Sequence, residues 1–184
     1  MRYWLMKSEP DEFSIDDLVA APSQTTPWFG VRNYQARNFM RDDMRVGDKA
    51  FFYHSSCAEP GIAGIVAISR AAYPDETQFD RASEYYDPKS TRDNPRWQHV
   101  DVKLIRKTPL VTLPMLRGAK GLEDMVVLRR GNRLSITPVT AGEWKAVEAL
   151  MKRAAKRGSD PVRPSFRAAP HGASQSAAID SAGA

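Results

Sequence analysis

The strongest constraint on the fold is a set of five short stretches rich in β-branched and aromatic residues: RYWLMK at 2–7, KAFFYHS at 49–55, GIAGIVAIS at 61–69, QHVDVKLIRK at 98–107 and NRLSIT at 132–137. Gly, Pro and Asp bound them, as they bound strands. Alternation is clearest from His99 to Leu104, where Val100, Val102 and Leu104 share one face and Asp101 and Lys103 the other. Strands this short cannot leave all their edges bare, so they predict a strongly curved sheet or small barrel packed by helices. The absence of repeats and of long helices alternating with strands argues against a doubly wound fold. The expected class is α+β, with short, mostly antiparallel strands flanked by helices.

Helix signals fall between and after these strands. Ser14 can cap SIDDLVA, with Phe13 stapled to Leu18. Asn33 can cap a second helix over about 34–40, and a short turn or helix is expected over 112–118. Thr140 with Glu143 forms a capping box ahead of a final amphipathic helix, on which Trp144, Val147, Leu150 and Met151 recur at helical spacing. Beyond it, Gly, Pro, Ser and Ala dominate. The expected organisation is one domain over 1–155 and a flexible basic tail over 156–184.

The tail also explains the charge. The sequence pI is about 9.4, yet residues 1–150 carry 21 Lys and Arg against 20 Asp and Glu, whereas 151–184 carry six against two. Net charge therefore gives no large phosphate-binding face on the body, only room for a local basic patch. There is no apolar run long enough to span a bilayer and no sustained apolar leader, so a cytoplasmic protein without membrane contact is expected. One cysteine, Cys57, and three scattered histidines give no metal or cofactor signature.

Catalytic patterns are equally thin. Gly61-Ile62-Ala63-Gly64 lacks the remaining residues of a dinucleotide or phosphate loop. His54 shares a strand face with Ser56 but has no identifiable orienting acid. Binding signals are stronger. Arg37 and Arg41 can share a helix face, and Arg32 precedes a helix start where anions are favoured, although Asp42, Asp43 and Asp48 could neutralise these cations. Trp28, next to Pro27 in a loop, can serve either as a plate for a base or as part of the core.

YWLMKSEP (3–10), WFGVRNYQARNFMR (28–41), FYHS (52–55), GIAGIVAI (61–68), YYDP (85–88), Trp97 followed by VDVKLI (100–105), and GNRLSITPVT (131–140) together make the chain similar to the EVE domain of the PUA-like superfamily. The resemblance runs from residue 1 to about 152. It implies a PUA-like pseudo-barrel flanked by helices and non-catalytic recognition of a modified nucleobase in DNA, 5-methylcytosine or 5-hydroxymethylcytosine first, in an aromatic-lined cleft beside a basic patch. Carried over residue by residue, it implies stacking on Trp28 and reading of the base edge by Ser8 and Asn33. Tyr53, His54 and Ser55 would form a wall, with Leu134 and Ser135 closing the site. Lys7, Arg32, Arg37 and Arg133 would contact phosphate. The alternatives are an RNA-binding module that reads a modified RNA base and a nucleotide-processing enzyme using His54.

Overall fold

A computed structural model describes residues 1–159. Six strands form one sheet: β1 (Tyr3–Ser8), β2 (Thr25–Pro27), β3 (Lys49–His54), β4 (Gly61–Pro74), β5 (Gln98–Thr112) and β6 (Ile136–Val139). Their order is β2-β5-β4-β3-β1-β6. β1 runs parallel to β3, and the other pairings are antiparallel. The pseudo-barrel expectation holds for the curved, helix-flanked sheet but not for closure, because β2 and β6 remain edges. These edges are only three and four residues long, and each contains a proline, which limits their use as templates for further pairing.

Both faces of the sheet are buried, and strand alternation explains which residue goes where. Trp4, Met6, Ala50, Phe52, Val66, Val100 and Val102 pack with Ile15 and Leu18 of α1 (Ile15–Ala20) and Ala36 of α2 (Tyr34–Asn38). Their strand neighbours Leu5, Phe51, Tyr53, Ile65 and Val111 point the other way, onto Leu116 of α3 (Leu113–Arg117) and onto α4 (Ala141–Ser159). There the Trp144 ring stacks on Phe51 at 4.0 Å and on Tyr3 at 4.4 Å. Repeated register shifts along β4–β5, and one in β3 between Phe52 and Tyr53, bend the sheet.

The expected helix starts are present with their chemistry. Ser14 and Asp17 exchange capping hydrogen bonds, as do Thr140 and Glu143. Asn33 accepts from the backbone N–H groups of Gln35 and Ala36. Four boundaries differ from expectation, and the first is the last strand, which occupies Ile136–Val139 rather than 132–137. The second helix is one α-turn followed by a π-turn over Phe39–Asp43. β4 and β5 extend past 69 and 107, to Pro74 and Thr112, because their ladder continues in both directions; Val111 in the added part of β5 is itself a core residue. The last helix continues through Ser159, so 156–159 are helical; the rest of the expected tail, 160–184, lies outside the described residues. Among the described residues no helix is long and apolar enough to cross a membrane.

Candidate functional site

The C-terminal end of β1 is joined to two other segments by backbone hydrogen bonds. Lys7 N–H donates to the Ser135 carbonyl at 2.8 Å, and Ser55 N–H donates to the Ser8 carbonyl at 2.9 Å. Beside this junction lies a cleft of about 840 Å³. It is lined by Lys7, Ser8, Phe13, Ser55, Asn132, Arg133 and Ser135 together with the loop from Thr26 to Arg32, Glu84 and Tyr85. Glu9, Glu12 and Ser56 complete the lining.

The aromatic wall is held from behind. Trp28 is 7% exposed and meets Phe52 edge-on at 5.4 Å, so it belongs to the core as well as to the cleft. Phe29, 52% exposed, meets Tyr85 edge-on at 6.1 Å. Between them Gly30 adopts a φ of +82°, and a Cβ there would come within 2.9 Å of the Tyr85 ring, so only glycine lets the loop and Tyr85 approach this closely. Burial and the charges of Glu12 and Glu84 push the Tyr85 hydroxyl above its usual pKa.

Arg32 fixes the same wall. Its Nε and Nη2 donate to the Tyr85 carbonyl, Nη1 donates to Val31 and to Asp75 Oδ2 at 2.8 Å, and Nη2 also donates to Thr77. These bonds engage every N–H of the guanidinium. Arg32 is therefore at the cleft, as the resemblance implies, but acts as a brace. Asp75, 1% exposed, receives further bonds from Gly30 N–H and from the Thr77 backbone and hydroxyl. Burial alone would raise its pKa, but the bonds from Thr77, Arg32 and Gly30 outweigh burial and hold it below the usual carboxylate range.

Of the sequence-based candidates, Ser8, Trp28, Ser55, Ser135, Lys7, Arg32 and Arg133 line the cleft, and five others do not. The Asn33 carbonyl oxygen is committed to capping α2. Arg37 is turned toward Arg96, Asn38 and the Tyr34 ring. Tyr53 faces the opposite core, since it alternates with Phe52 along β3. Leu134 donates its N–H to Asn132 Oδ1, which shapes the turn without exposing the leucine to the cleft. His54 accepts the Ile15 N–H at Nε2, 3.1 Å away, and so caps α1 from outside. Sequence reasoning missed Phe13, Phe29, Tyr85, Asn132 and the three glutamates as lining residues. Phe29 was legible as a second aromatic in a turn-rich loop, whereas Tyr85 reaches the cleft through contacts with Phe29, Gly30 and Arg32, more than fifty residues away in sequence.

Arg32 alone of the charged lining residues has an ion pair among the described residues; Glu9, Glu12, Glu84, Lys7 and Arg133 have none. Among the described residues, neither the Lys7 ammonium nor the Arg133 guanidinium has an ion-pair or hydrogen-bond partner. Lys7 is half-buried and Arg133 is exposed at the mouth. Burial pushes the Lys7 ammonium below the usual lysine range.

Two histidines outside the cleft give the fold a pH dependence. Burial lowers the pKa of His54, with Asp16 opposing and Lys107 assisting; burial also lowers that of His99, against the pull of Asp75 and Asp101. His99 is 6% exposed, and neither ring nitrogen has a hydrogen-bond partner among the described residues. With folded values below the ordinary 6.5, the unfolded chain binds more protons in that window. The stability from neutral histidines is full above 6.5 and is lost as pH falls through the lowered values. Thermal melts between about pH 5 and pH 8 should show the midpoint falling on acidification, with a flatter profile for His54→Gln/His99→Gln. An unchanged slope in that variant would remove the histidines as the cause.

An open, helix-covered mixed sheet with an aromatic and oppositely charged cleft beside its first and last strands defines the class of this protein as a PUA-like α+β module. Residues 2–150 match the family model of the EVE domain, and the chain belongs to that family. It is similar to thymocyte nuclear protein 1 of Homo sapiens, 48% identical over 169 residues that cover 82% of this chain and 74% of that protein. The Danio rerio counterpart is 50% identical over 165 residues, with 80% and 71% covered. Among solved structures, the human THYN1 protein in complex with 5-methylcytosine containing DNA superposes with a TM-score of 0.78 at 47% identity, covering 83% of this chain and 98% of that one. A Pseudomonas putida protein gives 0.77 at 51% identity, covering 81% and 99%.

Proposed function

We propose that the cleft receives one modified base from DNA, 5-methylcytosine or 5-hydroxymethylcytosine, and binds it without chemistry. The observation that carries this reading is the pairing, in one cleft, of a braced aromatic wall (Trp28, Phe29, Tyr85) with two cations that have no partner among the described residues, Lys7 and Arg133. The likeness to a protein solved with 5-methylcytosine-containing DNA supports it. Extruding a base costs a few kcal/mol, and stacking returns about 1–3 kcal/mol per base. Arg133 at the mouth suits a phosphate, and hydroxyls of Ser8, Ser55 and Ser135 are within the lining for the base edge. The Ser8 hydroxyl already donates to the Phe13 carbonyl at 2.6 Å, which leaves it an acceptor for an incoming amino group.

Equilibrium binding at fixed salt to matched DNA and RNA strands carrying cytosine, 5-methylcytosine, 5-hydroxymethylcytosine, adenine or N6-methyladenine tests the reading. A preference for modified cytosine in DNA is expected. Its size from methyl burial alone is about 0.8 kcal/mol, and a larger preference would require a fitted wall. Equal affinity for all strands would overturn base reading, and a preference confined to RNA would transfer the site to the RNA-binding class.

A further inference from the structure

A seat for 5-methylcytosine faces a problem that contact with the methyl group does not solve. Thymine carries the same methyl on the same ring carbon and occurs throughout unmodified DNA. The two bases differ at their pairing edge: cytosine presents an amino group at position 4 and acceptors at N3 and O2, while thymine presents a carbonyl at position 4 and an N–H at position 3. O2 is an acceptor in both, so telling them apart takes a donor facing N3, an acceptor facing the group at position 4, or both.

Lys7 is the group in the cleft suited to that task. β1 sets its position, with its backbone bonded to Ser135 on one side and its Cα in register with Tyr53 on the other. Three carboxylates line the same cleft, yet among the described residues none pairs with the Lys7 ammonium. A half-buried ammonium without a partner loses hydration with no return, and an acceptor brought by a ligand would restore it. Ammonium is a donor only, so it bonds an unprotonated ring nitrogen or carbonyl and opposes an N–H. Arg133, exposed at the mouth, is better placed for the phosphate. Glu12 and Glu84 offer acceptors to an exocyclic amine, a pairing that carboxylates make with cytosine N4.

We propose that Lys7 is the specificity-determining residue that admits cytosine bases and rejects thymine, its ammonium donating to the N3 and O2 edge of the seated base. This rests on the reading of the cleft as a base seat. The test uses the whole chain and its Lys7→Met variant, which keeps side-chain length without the donor, with thermal melts to verify folding. Binding is measured over a salt series to DNA in which one position holds 5-methylcytosine, thymine or an abasic residue. Each is placed opposite an abasic residue so that unpairing costs match.

The unaltered chain is expected to favour 5-methylcytosine over thymine by about 10–100-fold, and Lys7→Met to bring that ratio to within about threefold without changing the salt slope. Uniform weakening on every strand, with a slope smaller by about 0.9, would overturn the proposal and make Lys7 a phosphate contact. An unchanged ratio would overturn it as well, as would equal binding of 5-methylcytosine and thymine by the unaltered chain. If the strand lacking the target base binds as tightly as the others, the base-seat reading itself fails. If Lys7→Met does not fold, Lys7→Leu, which likewise has no donor, gives the same comparison.

Discussion

Asp75→Ala is expected to lower folding stability by about 3–5 kcal/mol, the usual cost of breaking a buried charge pair from one side. Asp75 is 1% exposed and is the shared acceptor for Arg32, Gly30 and Thr77. Without it the Arg32 guanidinium retains the Tyr85 carbonyl but loses its counter-charge, and Gly30 N–H loses its acceptor. Urea denaturation measures the loss, and a value under about 1 kcal/mol would show that the brace does not stabilise the fold. Asp75→Asn should fall between the two chains. The carboxyl is held below its ordinary 3.8, so its contribution is full above that pH and disappears as pH falls through the lower folded value. Acid unfolding of Asp75→Asn should therefore be less steep in that range. Base affinity should fall with stability in both variants, since Gly30 and Arg32 belong to the cleft wall.

Trp28→Ala is expected to cost about 3–5 kcal/mol of stability and to abolish base preference together. The indole is nearly buried against Phe52, so its removal opens the core as well as the cleft. Phe29→Ala separates the two effects. With the Phe29 ring about half exposed, stability should change by less than about 1 kcal/mol while affinity for the modified base declines. Melts and binding curves on both variants decide the matter. Unchanged base preference in both would remove the aromatic wall from recognition and leave Trp28 as a core residue alone.

The strands, the caps at Ser14, Asn33 and Thr140, and the final helix were legible because each depends on local pattern. β2 was not legible: three residues, Thr25–Pro27, carry no period and become a strand only by lying against Asp101–Lys103. The cleft was half legible for a related reason. Ser8, Ser55, Ser135 and Trp28 sit in strand-end or loop motifs that converge, whereas the assignment of Asn33 and Arg37 to ligand contact took polar residues near the cleft to be free. Local bonds had already engaged them: Asn33 in the cap, and Arg37 in contacts with Asn38 and Arg96. Such commitments depend on which segments meet in space, as with Arg32 and Tyr85, and sequence spacing does not encode that.

The central position of β1 has a consequence for the order of assembly. Met6 is in register with Phe52 on one side and with Ile136 on the other. Neither neighbour can be reached through a hairpin, so two long loops must close before β1 gains its contacts, which favours slow folding. The β3–β4–β5 meander can form first because its strands are consecutive. The cleft beside Lys7 and Ser135 is then among the last features to form. During synthesis, a nascent chain would hold a sheet long before it held the cleft, and release of the segment around residue 135 from the ribosome would set the earliest moment at which the cleft is complete.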